Sequence, residues 1–315
     1  MPGLSVLIHE YTYRGVPLVV MPRFDLESFC KLVQKHRAAH AYIVPPVALL
    51  LSKHPTVAKY DLSSLKGMTS AAAPLTEELI RAVYDRLKIP LLQAYGISET
   101  SPGITTMPAE DALRYPGSVG KLNPNMTAKI IDLDSGDEVP VGTEGELWFS
   151  GPNVFKGYLN NPSGTANALT ADGFFKTGDV GYVDKLGNWY ITDRVKELIK
   201  FKGFQVAPAQ LEGILIAHPS IDDVAVIGVY DETQATELPR AYVVPAKGVQ
   251  KNEARANEIC RWLEGKVSNY KKLRGGVRFV EAIPKSATGK ILRRVLRDEA
   301  AKEVGGKTKT GMSKL

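Results

Sequence analysis

The chain has 315 residues, of which 44% are hydrophobic and 23% are charged. This composition is ordinary for a folded globular protein, excludes wholesale disorder and, with the length, predicts two domains. Lys and Arg exceed Asp and Glu to give a net charge of +6. Residues 1–193 carry a net charge of −3 and residues 194–315 one of +9, so the basic character lies entirely in the C-terminal part.

The cysteine content and the lengths of the apolar runs exclude two further classes of protein. Cys30 and Cys260 are too few for a disulfide framework, and no Cys-x-x-Cys spacing indicates a zinc site. No apolar run approaches the ~18–20 residues of a membrane-spanning helix. We therefore expect neither a disulfide-stapled scaffold nor a membrane span.

Helical and strand patterns alternate over residues 1–115. Apolar spacing predicts a helix over residues 25–39, and Thr76 can cap another helix whose first turn is acidic. Short apolar runs at residues 41–44 and 90–95 are typical of buried strands. This alternation predicts a parallel sheet with helices on its faces.

The pattern changes at residue 116 to short strands and turns, with a hairpin turn predicted at residues 184–188. From residue 194 the alternation resumes, and a helix is predicted from about Pro208. The predicted fold class is α/β: a partial large domain over 1–193 (an α/β part, 1–115, and a β-rich part, 116–193), followed by a small α+β domain. The small domain is expected over residues 194–303, and a flexible tail over residues 304–315.

Small residues and hydroxyls precede and follow the predicted strand at residues 90–95. The segment 69–75 (Thr-Ser-Ala-Ala-Ala-Pro-Leu) would let a flat ligand approach the backbone, although a tightly packed loop is the favoured explanation of this segment taken alone. Segment 93–101 ends a strand, where open α/β sheets bind ligands. In it Tyr95 offers a stacking face, Gly96 a close approach, Ser98 a hydroxyl for phosphate and Glu99 an oxygen ligand for Mg²⁺.

Three later segments concentrate charge next to glycine. In segment 174–179 the carboxylate of Asp179 follows Gly178 and could accept hydrogen bonds from ribose hydroxyls. Segment 193–205 is rich in cations that suit polyphosphate, and segment 284–290 (Pro-Lys-Ser-Ala-Thr-Gly-Lys) presents one lysine on a loop. A separate group of charges, Arg293, Arg294 and Arg297, is interpreted as the solvent-exposed face of a helix.

Taken in this order, the five segments resemble the acyl-adenylate-forming (AMP-binding) superfamily. The resemblance is closest to the branch of 4-coumarate–CoA ligases and acyl-CoA synthetases, which also contains firefly luciferase. It runs from about residue 14 to residue 297, and its most specific parts are Phe-Lys-Gly-Phe-Gln-Val-Ala-Pro-Ala at 201–209 and Pro-Lys-Ser-x-x-Gly-Lys at 284–290.

The resemblance implies a role for each matching residue. It implies catalytic roles for Lys290 in adenylation and for Lys200 and Gln205 in adenylate and thioester chemistry, a hinge at Lys196, and Mg²⁺ binding by Glu99. The residues implied to bind ATP/AMP or the pantetheine arm of coenzyme A are Ala71, Ala72, Ala73, Pro74, Gln93, Ala94, Tyr95, Gly96, Ser98, Asp179, Arg194, Lys202, Gly203 and Phe204. Serine at position 98 replaces the family's usual threonine and keeps its hydroxyl.

The implied reaction is the ATP-dependent ligation of a carboxylic acid to coenzyme A. The acid first forms an acyl-adenylate and releases pyrophosphate, and the thiol of coenzyme A then displaces AMP. In the family the C-terminal domain rotates between the two steps, so that Lys290 leaves and the face near Lys200 enters. An aryl acid or a medium-chain fatty acid is expected as substrate, since residues 101–105 are small and mildly apolar.

Members of the family carry a region ahead of the match that includes a lysine-containing loop for the β- and γ-phosphates. Nothing in this chain matches that loop, and Gly306-Lys307-Thr308 is no replacement, since a Walker motif needs glycine where Ala301 stands. We therefore expect the C-terminal part of a ligase. An inactive remnant that still binds adenylate or coenzyme A is the alternative.

Two other classes are weakly indicated. Residues 96–100 approximate the serine-hydrolase elbow but lack its final glycine. The basic C-terminal part suggests nucleic acid, yet no aromatic or helix-turn-helix pattern accompanies the charge, so no nucleic-acid partner is expected.

The chain ends in Ser313, Lys314 and Leu315. This tripeptide at a C-terminus is the address read by the peroxisomal import receptor. We expect that receptor as a partner and the peroxisome as the location.

Overall fold

The computed structural model describes residues 3–71, 73, 75–286 and 289–311, with side chains described between residues 6 and 303. It divides into two compact units, of which unit 1 ends at Ile191 and unit 2 begins at Thr192. The sequence predicts this boundary after residue 193. Among the described residues no helix is both long and apolar enough to cross a membrane.

Capped helices alternate with strands in the first part of unit 1. The Thr76 side chain accepts a hydrogen bond from the Leu79 amide at 3.4 Å, which confirms the predicted cap, and Asp25 accepts one from the Ser28 amide at 2.8 Å. The elements in chain order are a π-helical turn Gly3–Glu10, α1 Tyr11–Arg14, α2 Leu26–His36, β1 His40–Ile43, α3 Pro45–Lys53, β2 Gly67–Ser70, α4 Glu77–Leu87 and β3 Leu91–Gly96.

A five-stranded sheet positions the two loops predicted to approach a ligand. Strands β1, β2 and β3 are parallel neighbours, as the alternation predicts, and two antiparallel strands, β4 Gly103–Thr106 and β5 Lys121–Leu122, extend the sheet. Apolar faces of α2, α3 and α4 pack in one core with these parallel strands. The segments that follow β2 and β3 therefore leave the sheet at the same edge.

An antiparallel sheet completes unit 1. Its elements are β6 Thr127–Ile131, β7 Gly145–Ser150, α5 Pro162–Ala168, β8 Phe175–Val183 and β9 Trp189–Arg194. The sheet has the order β6-β7-β8-β9. In the turn between β8 and β9, the Asp184 carboxylate accepts hydrogen bonds from the amides of Leu186 and Asn188 at 2.8 and 2.9 Å, which confirms the predicted hairpin.

Unit 2 has a three-stranded sheet buried on both faces. Val224 and Val226 of its first strand belong to one core, and Ala225 and Ile227 to the other, as period-two alternation requires. The helix predicted near Pro208 is confirmed. The elements are β10 Ile199–Phe201, β11 Phe204–Val206, α6 Pro208–Leu215, β12 Ile221–Asp231, β13 Thr236–Pro245, α7 Glu253–Glu264, β14 Val277–Phe279 and α8 Arg293–Gly311.

Candidate functional site

A short hydrogen bond joins two of the predicted ligand-binding residues in unit 1. The Tyr95 hydroxyl, near the end of β3, donates to Asp179 Oδ2 at 2.6 Å, although 84 positions separate the two residues. Asp179 lies in β8 and is only 2% exposed. The fold therefore brings together the residues predicted separately for adenine stacking and for ribose binding.

The backbone around Asp179 is held by its own neighbours. Thr177 Oγ1 accepts from the Asp179 amide at 2.9 Å and donates to the Leu147 carbonyl at 2.7 Å. Gly178 between them has a φ of +67°, which glycine adopts without strain, and its amide donates to Glu146 Oε1 at 3.0 Å. This explains why the segment needs Thr, Gly and Asp in sequence.

Aromatic packing and a close backbone contact fix the end of β3. The Tyr95 ring lies 6.1 Å from the ring of Phe149, which in turn lies 5.4 Å from that of Trp189. A Cβ added to Gly96 would stand 1.8 Å from the Pro102 carbonyl oxygen. Gly96 is thus required by the chain's own turn, whereas the sequence pattern suggested the approach of a ligand.

Glu99 follows in the 3₁₀ turn Ser98–Thr100 and is half-buried. Its Oε1 accepts a hydrogen bond from the Tyr158 hydroxyl at 3.0 Å, while Ser98 is exposed. Partial burial raises the pKa of Tyr158, and the bond to Glu99 raises it further. Tyr158 was not among the predicted site residues, since nothing in its local sequence distinguishes it from other surface aromatics.

The Glu99 carboxylate is a candidate ligand for a metal ion. Among the described residues, no group of three or more His, Cys, Asp or Glu side chains could hold a metal ion. Mg²⁺ commonly binds through one or two carboxylates together with phosphate oxygens of a substrate. The half-buried Glu99 carboxylate fits that mode of binding.

The Gln93 side chain is used within the protein. Its Oε1 accepts from the Leu75 amide at 3.0 Å, its Nε2 donates to the Ser118 carbonyl at 2.9 Å, and it is buried. Gln93 thus holds the end of the small-residue segment 69–75 through the hydrogen bond to the Leu75 amide. In that segment Ala71 is half-buried and Ala73 exposed, as is typical of a loop edge, and Ala94 in β3 is half-buried.

Ala72 and Pro74 lie outside the described residues, as do Ser313, Lys314 and Leu315.

In unit 2 a β-hairpin brings the two predicted chemistry-supporting residues side by side. Lys200 of β10 lies opposite Gln205 of β11, and both side chains are exposed. The alternate positions Phe201 and Val206 are buried in the core. The hairpin therefore presents an amide and an ammonium on its solvent face.

The tip of this hairpin is a two-residue turn. Lys202 and Gly203 have φ values of +46° and +84°, the left-handed pair that matches the twist of tight hairpins. Phe204 follows, and its ring stacks on that of Tyr270 at 4.6 Å and 13°. The flat face of this aromatic pair gives the predicted pantetheine segment a fixed apolar edge.

The remaining predicted residues of unit 2 lie on turns. The Arg194 carbonyl accepts from the amides of Glu197 and Leu198, which closes a turn that leaves Lys196 exposed. Lys290 is also exposed, and its amide and carbonyl both bond to Ser286. Cations thus stand on the surface of unit 2 at the positions that the sequence predicts.

The interpretation of Arg293 and Arg297 as a solvated helix face is wrong. Arg293 is 13% exposed and donates from Nη2 to Glu212 Oε2 at 2.6 Å, and Arg297 donates to Glu197 Oε2 at 3.0 Å. Arg294 alone of the three is exposed. The spacing of Arg293 with the buried Leu296 could have revealed it, since residues three apart share a helix face.

Burial shifts the pKa of two carboxyls in this cluster. Burial raises the pKa of Asp193 to about 6. The hydrogen bonds that its carboxylate accepts from the amides of Ala209 and Arg194 act in the opposite direction and lower the pKa. The pKa of Glu212 is also raised by burial, with Arg293 opposing the rise. Sequence reasoning missed both: Asp193 begins the cation-rich segment 193–205 but was given no role there, and Glu212 lies in a segment of unremarkable composition.

Two family models match the chain. The model described as AMP-binding enzyme matches residues 3–159, and that of the AMP-binding enzyme C-terminal domain matches residues 210–290. The two matches fall one in each compact unit.

Known proteins of similar sequence are much longer. The chain is 44% identical over 299 residues to probable 4-coumarate–CoA ligase 1 of Dictyostelium discoideum, covering 94% of this chain and 53% of that protein. It is 44% identical over 291 residues to phenylacetyl-CoA ligase epaB of Aspergillus niger, covering 90% and 53%. The chain thus spans about half the length of the curated relatives it matches.

A solved structure agrees with these similarities. ATP-bound MatB from Rhodopseudomonas palustris is 32% identical and superposes with a TM-score of 0.86, over 95% of this chain and 57% of that one. The βα sheet and the antiparallel sheet of unit 1, followed by the small α+β unit, are therefore the C-terminal part of an adenylating-enzyme fold, as predicted. With both family models matched in order along the sequence, the chain belongs to the AMP-binding enzyme family.

Proposed function

We propose that this chain acts in the ATP-dependent ligation of a carboxylic acid to coenzyme A, as the C-terminal part of the machinery found in its longer relatives. The observation that carries the proposal is the 2.6 Å bond between Tyr95 and Asp179, which brings together, from two distant segments, the residues implied to bind adenine and ribose. Relatives named as 4-coumarate–CoA and phenylacetyl-CoA ligases support the same reaction class.

In the first half-reaction a carboxylate oxygen of the acid attacks the α-phosphorus of ATP. The new bond is P–O, the bond to the bridging oxygen breaks, and pyrophosphate leaves. Tyr95 and Asp179 hold the nucleoside, and Ser98 offers a hydroxyl to the α-phosphate. Charge grows on the phosphoryl oxygens, so the ammonium of Lys290 lowers the barrier by electrostatic stabilisation.

In the second half-reaction the sulfur of coenzyme A attacks the acyl carbon of the adenylate. The C–S bond forms, the bond between carbon and the phosphate oxygen breaks, AMP leaves, and the thiol proton passes to solvent. The exposed pair Lys200 and Gln205, with the turn at Lys202 and Gly203, presents polar groups and an unhindered backbone for the pantetheine arm.

Mg²⁺ would be held by the Glu99 carboxylate, and when bound it neutralises phosphate charge. The Tyr158 hydroxyl bonded to Glu99 orients that carboxylate. The substrate we propose is an aryl acid or a medium-chain fatty acid.

Pyrophosphate release tests the proposal. The purified chain is given ATP, Mg²⁺ and either 4-coumarate, phenylacetate or octanoate, and release is compared with that of Lys290→Ala. We expect acid-dependent release that the variant loses by at least about a hundredfold. Release that is independent of added acid, or unchanged in the variant, would contradict the ligase proposal.

A second candidate function is binding of adenylate or coenzyme A without turnover. It rests on the Tyr95–Asp179 hydrogen bond, which would serve nucleoside binding with or without turnover. Calorimetry with AMP and with coenzyme A, on the native chain and on Asp179→Asn, separates the two candidates. AMP binding that Asp179→Asn weakens, together with no pyrophosphate release, supports binding alone.

We further propose that residues 313–315 direct the chain to peroxisomes through the import receptor. A fluorescent protein fused ahead of Met1 should colocalise with a peroxisomal marker. Deletion of Leu315 should disperse it, and colocalisation that survives the deletion would refute the address.

A further inference from the structure

The segment that carries Lys290 has two described arms, residues 284–286 and 289–292, which are hydrogen-bonded to each other as in a β-hairpin. The Leu292 amide donates to the Pro284 carbonyl at 2.8 Å, and the Ser286 amide donates to the Lys290 carbonyl at 2.9 Å. These bonds hold the arms to each other. They do not by themselves hold the hairpin to the rest of unit 2.

An ion pair attaches the first arm to β12. Lys285 Nζ donates to Asp223 Oδ2 at 2.6 Å, and Asp223 Oδ1 accepts from the amide of Val224 at 3.0 Å. The two side chains are 26% and 31% exposed, so water screens the pair only in part. Lys285 stands five residues before Lys290.

A more deeply buried pair attaches Arg293, the residue that directly follows the second arm, to the same strand. Arg293 donates from Nη2 to Glu212 Oε2 at 2.6 Å and from Nε to the Val226 carbonyl at 3.3 Å. Glu212 Oε1 accepts from the Val226 amide at 2.7 Å, so one residue of β12 bonds to both members of the pair. Arg293 stands three residues after Lys290.

The cluster continues to the turn that contains the implied hinge. Glu197 Oε2 accepts from Arg297 Nη2 at 3.0 Å and lies 3.9 Å from Arg293 Nε. Glu197 directly follows Lys196. Ion pairs therefore connect the base of the Lys290 hairpin, β12 and the residue after the hinge within unit 2.

We propose that Lys285 and Arg293 are positioning residues for Lys290, which anchor the two arms of its hairpin to β12 so that the ammonium is presented from a fixed base. The inference rests on the proposed function, because it assigns Lys290 to adenylation. A lysine on a long exposed stem gains precision only if its backbone is held. Loss of an anchor should slow adenylation and spare thioester formation.

Hydrogen exchange of the native chain tests the anchoring without any turnover. Lys285→Met keeps the apolar stem and removes the charge, and we expect the amides of residues 289–292 to exchange about three to ten times faster. The matched control is Lys272→Met, which removes a pair of similar exposure with Glu264 on another part of unit 2. That control should leave the hairpin unchanged.

Charge reversal separates positioning from general stability. Lys285→Asp combined with Asp223→Lys restores the pair in reverse and should return exchange to within about twofold of the native chain, whereas either single change should not. Arg293→Lys should give an intermediate effect on the second arm, since lysine keeps the charge but loses the planar group that donates to both Glu212 and the Val226 carbonyl. Unchanged exchange in Lys285→Met and Arg293→Lys would overturn the proposal.

The half-reactions give the functional readout. We expect kcat for pyrophosphate release with 4-coumarate to fall about three to tenfold in Lys285→Met, with KM for ATP unchanged. Formation of coumaroyl-CoA from synthetic coumaroyl-adenylate and coenzyme A should stay within about twofold. Equal losses in both half-reactions would overturn the positioning role. If the native chain makes no adenylate, the proposed function fails, and the exchange experiment alone decides whether these residues hold the hairpin.

Discussion

The two units hold buried carboxylates in different ways. In unit 1 the Asp179 carboxylate accepts a hydrogen bond from the neutral phenol of Tyr95, and its backbone is fixed by Thr177. In unit 2 the Glu212 carboxylate accepts from the guanidinium of Arg293, inside a network that includes a second arginine and two further acids. In unit 1 the carboxylate accepts its hydrogen bond from a neutral group, and in unit 2 it accepts its hydrogen bond from a positively charged group.

The difference bears on what each unit has to do. A neutral donor orients the Asp179 carboxylate without opposing its charge with a cation, which suits the ribose binding proposed for it. Charges that are opposed at the base of a loop fix that loop strongly, because removal of one partner leaves the other buried and unpaired. The comparison predicts that unit 2 is more sensitive to the loss of a charge, and unit 1 to the loss of space or of a hydroxyl.

The largest effect is expected for Arg293→Met. Since Glu212 would stay buried without its guanidinium, we expect unit 2 to lose about 3–5 kcal/mol of stability at neutral pH. Urea unfolding, with hydrogen exchange of α6 and β12 to assign the loss to unit 2, measures it. The matched control is the exposed neighbour Arg294→Met, for which about 0.5 kcal/mol or less is expected. Equal effects of the two changes would remove the distinction drawn between the units.

Gly96→Ala should give the largest effect in unit 1. The new Cβ would stand 1.8 Å from the Pro102 carbonyl oxygen, so strand and turn must separate, and we expect a loss of about 3 kcal/mol. Gly103→Ala is the control on the paired strand, because its Cβ would meet only the amide tip of Asn123 at 3.2 Å. Thermal unfolding of both variants checks the prediction. A tolerated Gly96→Ala would show that the turn can shift freely.

Ionisation of the Asp193 carboxyl should lower the free energy of unfolding of unit 2 as pH rises. Its folded pKa of about 6 lies above the ordinary value of 3.8, so the folded state holds the proton more tightly. The stability that this gives is fully present below about pH 4 and is lost as pH rises to about 6. The loss should be roughly 2–3 kcal/mol.

The measurement compares the native chain with Asp193→Asn in urea at pH 4, 5, 6 and 7. Subtraction of the two curves cancels most other groups, although Glu212 and Arg293 face Asp193 and must keep their pair in both proteins. The native chain should lose stability relative to the variant between pH 4 and 6 and then level off. A difference that does not change with pH would contradict the raised pKa.

Sequence reasoning anticipated the parts of the molecule that local rules determine. Thr76 capped its helix, the 184–188 turn closed a hairpin, and the motif segments identified the family. Ligand-contact roles for motif residues follow from the family and not from local physics. Gln93 shows this, because it matched the motif but its amide bonds to the Leu75 and Ser118 backbones.

The ion pairs between residues far apart in the sequence could not be predicted from local sequence patterns. Arg293 and Glu212 are 81 positions apart, and Lys285 and Asp223 are 62 apart. An arginine on a helix looks solvated until the neighbouring strand and helix are in place, since only tertiary packing removes its water. The interpretation of Arg293 failed for this reason, while that of Arg294, one residue on, was right.

The smallest of the expected effects is that of Tyr95→Phe. The change keeps the ring that packs near Phe149 and removes only the hydroxyl that donates to Asp179. Because Asp179 is 2% exposed, little water can replace the lost donor, and we expect a loss of about 1–2 kcal/mol. The control is Tyr158→Phe, whose hydroxyl donates to Glu99 from a side chain that is 39% exposed, so water can substitute for it. Thermal unfolding should separate the two variants, and AMP calorimetry should show weaker binding for Tyr95→Phe, since Asp179 loses the bond that orients it toward a ribose. If both variants unfold alike and Tyr95→Phe binds AMP as the native chain does, the hydroxyl contributes neither to the stability of unit 1 nor to the proposed site.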